Sequence, residues 1–225
     1  MNSAQIIQVE VGLVQNFCTL LCEPQAGVCA VIDPAFEVDR LERTIQQLGL
    51  RVAAILLTHS HFDHIEGVPA LLQAAGPVPV YVGAAEAGAV AAACRAAGLA
   101  DGSVDLRSLD GGETLAVGTL QVSVLATPGH TAAGRSYHVP ELGAVATGDT
   151  LFVGSCGRPA SPATAETLWR SLERLCELPE ETRIYPGHNY GRTATSTLDW
   201  ERQTNPYLAA RSAAAFAALC RARMG

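Results

Sequence analysis

The sequence predicts a layered α/β fold in which two mixed β-sheets pack together and helices cover the outside. Three observations carry that expectation. Short apolar runs cluster at the start of the chain and again in its second half, with helical patterns mixed in after them. His and Asp residues sit just past several of those runs, in turns containing Gly, Pro or Thr, and strand ends are where the sites of α/β sheets gather. The 225 residues, 48% hydrophobic and only 16% charged, are enough for one large buried core.

The same composition excludes other classes. Lys and Arg number 15 against 22 Asp and Glu, a net charge of -7, which argues against a nucleic-acid binder working through a basic face. An anionic small substrate remains compatible, because a local cationic pocket can coexist with net negative charge. No apolar run reaches the ~18 residues of a membrane span. The opening residues lack the cationic and apolar regions of a secretory signal. The 7 cysteines form no C-x-x-C pair, so reduced thiols in a cytoplasmic protein are expected.

In chain order, residues 6–11, 17–22 and 28–32 read as strands separated by Gly12, Pro24 and Gly27, with Asp33-Pro34 marking a turn. Residues 37–48 place Val38, Leu41, Ile45 and Leu48 on one helical face, and Gly49 stops the helix. The unbroken apolar run 52–57 predicts a buried strand. A helix over 65–75, a strand over 78–82 and an Ala-rich helix over 84–97 follow. The second half repeats the style, with strands at 120–125, 136–139, 144–146 and 183–185 and a helix over 163–177. From Thr197 onward the tail reads as one or two helices broken at Asn205-Pro206. We assign 1–195 to the layered domain and 196–225 to a short helical C-terminal extension packed on it.

The chemistry is concentrated in four places. Directly after the 52–57 strand stands Thr58-His59-Ser60-His61-Phe62-Asp63-His64-Ile65-Glu66-Gly67. In extended backbone His59 and His61 point the same way and can reach one metal, and as the chain turns into the helix near Ile65, Asp63 and His64 can be redirected to a second position. Carboxylate plus imidazole suits zinc, iron or manganese. Thr127-Pro128-Gly129-His130-Thr131, Thr147-Gly148-Asp149-Thr150 and Tyr185-Pro186-Gly187-His188-Asn189 each put one His or Asp past a strand. Taken singly, such residues are usually ordinary turn residues. Together they supply ligands for two metals, a pair that can hold a water and lower its pKa. His138, on a predicted strand, is left to packing, Trp169 and Trp200 to core or interface, and Glu66 to the first turn of its helix.

The ordered set His-x-His-x-Asp-His, then single His, Asp and His, resembles the metallo-β-lactamase superfamily, and the likeness covers nearly the whole chain. The resemblance implies an αββα four-layer sandwich with metals at one edge between the sheets. It assigns His59, His61 and His130 to one metal and Asp63, His64 and His188 to the other, with Asp149 bridging. The implied cofactors are two divalent ions, zinc first, with iron or manganese as alternatives.

Gly148 through Arg158, Thr164-Ala165-Glu166, Gly187-His188-Asn189-Tyr190 and Thr204-Asn205-Pro206-Tyr207-Leu208 are similar to glyoxalase II, the hydroxyacylglutathione hydrolases. That branch implies a small-molecule thioester substrate, such as an S-(2-hydroxyacyl)glutathione, cleaved by a metal-bridging hydroxide. The same resemblance implies Asp63 and His64 as the catalytic pair and Arg158 and Tyr190 as residues that hold the thiol carrier. The chain departs from the branch at Pro159, Ala160 and Ala133, and only 37 residues follow His188. Two alternatives stay open: a persulfide dioxygenase with a single iron on the counterparts of His59, His130 and Asp149, or a hydrolase of another thioester, such as an acyl-CoA, or of a lactone. No nucleic acid or membrane partner is expected, and the chain would be a monomer or homodimer.

Overall fold

Side-chain alternation decides the layering. In a computed structural model that describes residues 3–224, the strand Val28–Ile32 sends Cys29 and Val31 into one apolar cluster and Val28, Ala30 and Ile32 into another. Successive side chains point to opposite faces, so a strand buried on both sides must be apolar throughout.

The first sheet runs in chain order through β1 (Gln5–Val11), β2 (Asn16–Glu23), β3 (Val28–Ile32), β4 (Arg51–Leu56), β5 (Val80–Gly83) and β6 (Leu106–Leu109). Its first pairings are antiparallel, and from β3 onward they are parallel. The second sheet contains β7 (Thr114–Val117), β8 (Leu120–Ala126), β9 (Arg135–Val139), β10 (Ala144–Gly148), β13 (Arg183–Pro186) and β14 (Ser196–Thr197), in the order β14-β13-β10-β9-β8-β7. Only β10 and β13 pair in parallel there. A two-residue ribbon, β11 (Leu151–Phe152) with β12 (Ser155–Cys156), stands apart.

Helices cover both outer faces. On the first sheet, α1 (Val38–Gln47) buries Leu41 and Ile45. The single turn α2 (Phe62–Ile65) is followed by α3 (Val68–Ala75), which buries Leu71 and Leu72, and α4 (Ala87–Ala96), which buries Val90 and Cys94. On the second sheet, α5 (Ala165–Leu175) contributes Leu168, Leu172 and Leu175. The short α6 (Leu198–Thr204) precedes α7 (Ala213–Met224), whose Phe216 and Cys220 join the same cluster. Between the sheets, Leu21, Ile32 and Leu56 meet Val122, Val124 and Tyr137. The result is the expected αββα sandwich.

Several elements differ from the sequence expectations. Strands β6 and β7 lie at sheet edges, are four residues long and have half of their residues exposed, so neither carries an apolar signal long enough to mark a strand. The helix expected over 65–75 is two pieces separated at Gly67, where an added Cβ would come within 2.8 Å of the Ala35 and Pro34 carbonyls. Helical backbone therefore begins at Phe62, which puts Asp63 and His64 inside a helical turn. Glu66 closes that turn and is not in its first residues. Ser196–Thr197, at the start of the segment assigned to the extension, pairs with β13. Trp200 is 59% exposed and is not a core residue. His138 lies on β9, half-buried, as expected. Among the described residues, no helix is long and apolar enough to cross a membrane.

Candidate metal centre

Four strands deliver the expected residues to one end of the sandwich. The chain leaves β4 into Thr58 and His59, β8 into the His130 loop, β10 into Asp149 and β13 into His188. The closeness of these segments dictates some residue types. Gly148 adopts a left-handed φ of 50°, and a Cβ there would meet Thr58 Oγ1 at 2.4 Å. At Gly187 a Cβ would lie 2.5 Å from Asp149 Oδ1 and 2.9 Å from His64 Cε1.

The outer nitrogens of four histidines are anchored to oxygen. His130 Nδ1 donates to the Arg158 carbonyl at 2.8 Å, and His188 Nδ1 donates to the Val14 carbonyl at 2.9 Å. His64 Nδ1 donates to Asp33 Oδ2 at 3.0 Å. The Thr58 hydroxyl donates to Asp33 Oδ2 at 2.5 Å, so at 3.1 Å from His59 Nδ1 it accepts. Each anchored ring presents a bare Nε2 inward in its neutral form. His59 Nε2 lies 2.9 Å and His130 Nε2 3.1 Å from His61 Nδ1, and His64 Nε2 faces His188 Nε2 at 3.2 Å.

Two carboxylates complete the cluster. Asp63 Oδ2 is 3.8 Å from His64 Nε2 and 3.5 Å from His188 Nε2. Asp149 Oδ2 is 3.6 Å from His130 Nε2 and 3.5 Å from His188 Nε2, which places it between the two groups. Asp149 Oδ1 is buried, accepts no hydrogen bond and lies 3.4 Å from His64 Nε2. Converging acceptors with an orphaned carboxylate oxygen are a poor hydrogen-bond network and a good fit for cations.

Electrostatics agrees with that fit. Burial, with the neighbouring His64, pushes the His59 ring well below its ordinary pKa, and burial and His130 push His61 down as well. Burial opposes charge on His64, but Asp149, Asp33 and Asp63 outweigh it and raise the ring to about 9. Burial would raise Asp149, yet His64, His188 and His59 hold it well below the carboxylate range. The carboxylates thus favour positive charge among them.

His, Asp and Glu atoms close enough for one ion form three groups among the described residues: His59–His61–His130, Asp63–His64–His188 and Asp33–His59–His64. The third is a support: Asp33 is already engaged by the Thr58 amide at 2.7 Å, the Thr58 hydroxyl and His64. The other two coincide with the triads expected from sequence. Tyr190, 55% exposed, stacks on His188 with centroids 4.5 Å apart and planes 9° apart. Arg158 is exposed at the rim, joined to the cluster through its backbone carbonyl. Cys156 is buried, and burial together with Cys220 pushes its thiol pKa up, against a nucleophilic role.

Sequence reasoning missed three supports. The sequence marks Asp33 only as a turn residue, although an acid ending a buried strand is an available signal. Asn16 donates through Nδ2 to the Asp63 carbonyl at 2.8 Å and to its carboxylate at 3.2 Å. Glu86, 6% exposed, lies in a stretch read simply as helix.

Comparisons with known proteins point the same way. The metallo-beta-lactamase superfamily profile matches residues 11–188. A probable polyketide biosynthesis zinc-dependent hydrolase, BaeB of Bacillus velezensis, is 30% identical over 85% of this chain and 81% of its own. A hydroxyacylglutathione hydrolase of Methylobacterium nodulans is 38% identical over 78% of this chain, which spans only 63% of that relative. Among solved structures, ETHE1 from Myxococcus xanthus superposes with a TM-score of 0.81 at 29% identity, covering 96% of this chain and 90% of that one.

Proposed function

The chain belongs to the metallo-beta-lactamase superfamily of hydrolases, and from that premise we propose that it is a binuclear, metal-dependent thioesterase acting on a small-molecule thioester such as an S-(2-hydroxyacyl)glutathione. One observation carries the metal-dependent part: four anchored imidazoles and two carboxylates turn bare acceptor atoms toward one another at one end of the sandwich. The thioester part is supported by the similarity to a hydroxyacylglutathione hydrolase.

In this reading His59, His61 and His130 hold one divalent ion, Asp63, His64 and His188 hold a second, and Asp149 lies between them. Zinc is the first candidate, followed by iron and manganese. Such ions supply Lewis acidity and a water acidified to near neutral pH. The protein's own groups do the rest. Asp63, its carboxylate fixed by Asn16, would accept a hydrogen bond from the attacking water and so orient it. His64 is fixed in turn by Asp33, which keeps Nε2 directed inward. A thiolate is a good leaving group, so no strong general acid is required at the sulfur. Tyr190, stacked on His188, also lines a groove of about 1020 Å³ with Arg192, Thr193 and Trp200, where a thiol carrier can lie. The Arg158 guanidinium, on the rim, pairs with a carrier carboxylate.

Metal analysis joined to a turnover screen tests the proposal. The expected result is two metals per chain and oxygen-independent hydrolysis of an acyl-glutathione, tested beside acyl-CoA, lactone and glutathione persulfide. One iron per chain with oxygen consumption on the persulfide would reject it in favour of the dioxygenase alternative.

A further inference from the structure

Glu86 lies in the turn between β5 and α4 and belongs to neither ligand triad, yet its carboxylate reaches both loops that carry the three-histidine group. Oε2 accepts from the Ser60 amide at 2.5 Å, between His59 and His61. Oε1 accepts from the Thr131 hydroxyl at 2.5 Å and the Ala133 amide at 3.1 Å, just past His130. A second observation shows how closely the two segments are pressed together: a Cβ on Gly83, at the end of β5, would fall 2.0 Å from the Ala133 carbonyl oxygen. The other triad has separate anchors: Asn16 on Asp63, Asp33 on His64 and the Val14 carbonyl on His188.

We propose that Glu86 is a positioning residue that sets the spacing of His59, His61 and His130, and thereby the affinity and occupancy of that metal position alone. The inference rests on the metal-centre reading above. A buried carboxylate is a strong acceptor for two amides and a hydroxyl. Glutamine can keep the Thr131 and Ala133 bonds through its oxygen, but it then turns an NH2 toward the Ser60 amide. That leaves two donors opposed in a buried site. Loss of such an outer support typically weakens metal affinity 10–100-fold.

Cobalt(II) titration of the metal-free protein, followed by calorimetry and d–d absorption, tests this. Wild type is expected to take up two ions. Glu86→Gln should bind one as wild type does and the other about 10–100-fold more weakly. Glu23→Gln is the matched control: Glu23 is another buried acid that holds turn amides, those of Gln25 and Ala26, so its replacement should cost stability while leaving both cobalt affinities unchanged. Thr131→Val, which removes one of the three donors, should weaken the same single ion to a smaller degree and serves as the readout if Glu86→Gln does not fold.

Two tight ions in Glu86→Gln, or in Thr131→Val where that variant is the readout, overturn the inference. Equal weakening of both ions also overturns it, because that is general loosening. Failure of wild type itself to bind cobalt overturns the metal-centre reading as well, so the two failures are distinguishable.

Discussion

At Gly187 a single methyl group decides whether the centre can close, because its Cβ would press on both the Asp149 carboxylate and the His64 ring. Gly187→Ala should fold with little change in the Tm of the metal-free protein and lose at least about tenfold in metal affinity. Dialysis against limiting zinc reads that loss, and unchanged zinc content would show that the contact relaxes freely. His61→Ala should remove metal and activity while far-UV circular dichroism stays close to wild type and Tm falls no further than that of the chelated wild-type protein; full turnover at normal metal content would overturn the ligand assignment. Asp33→Asn tests the missed support. It withdraws charge from a carboxylate serving the Thr58 amide and hydroxyl and His64, so metal affinity should fall about 10–100-fold. The candidate ligand residues were legible because their spacing around strand ends is a local property. Asp33, Asn16 and Glu86 were not, since their partners lie 25 to 47 residues away.

At the scale of elements, strands β1 to β4 and helices α1 and α5 were readable because each buries a continuous or periodic apolar pattern. Edge strands β6 and β7 were not, for they are four residues long, their backbones are paired on one side only, and each buries a single residue fully, Leu109 and Val117. The break at Gly67 also escaped reading, since it follows from Gly67 packing against the Pro34 and Ala35 carbonyls. Helix α5 acts as a floor for the His130 loop: Ser171 Oγ donates to the Pro128 carbonyl at 2.6 Å, and a Cβ on Gly129 would lie 2.4 Å from Leu168 Cα. Leu168 is fully buried, so Leu168→Ala should cost about 2–5 kcal/mol in urea denaturation. A loss below about 1 kcal/mol would mean that the helix is not held by this contact.

For the whole molecule, metal and fold are coupled. A ligand at about 100 times its Kd stabilises by about 2.7 kcal/mol, and for a chain of this size each kcal/mol moves Tm by about 2–4 °C. Chelation should therefore lower Tm by about 5–10 °C, with recovery on adding zinc; an unchanged Tm would uncouple the centre from stability. Two divalent ions would also offset about four of the seven net negative charges, a change that native isoelectric focusing can read.

The sequence by itself determined the layered class of two mixed sheets with outer helices, the identity of the clustered His and Asp residues and their order along the chain. These follow from apolar periodicity and from residue types placed just past strands. Only the tertiary structure decided that both triads meet at one end of the sandwich with Asp149 between them, which ring nitrogen of each anchored histidine faces inward, and which acids and amides hold these residues in place. Those features depend on how the two sheets and their loops stack, bringing together groups as far apart in the chain as His64 and His188.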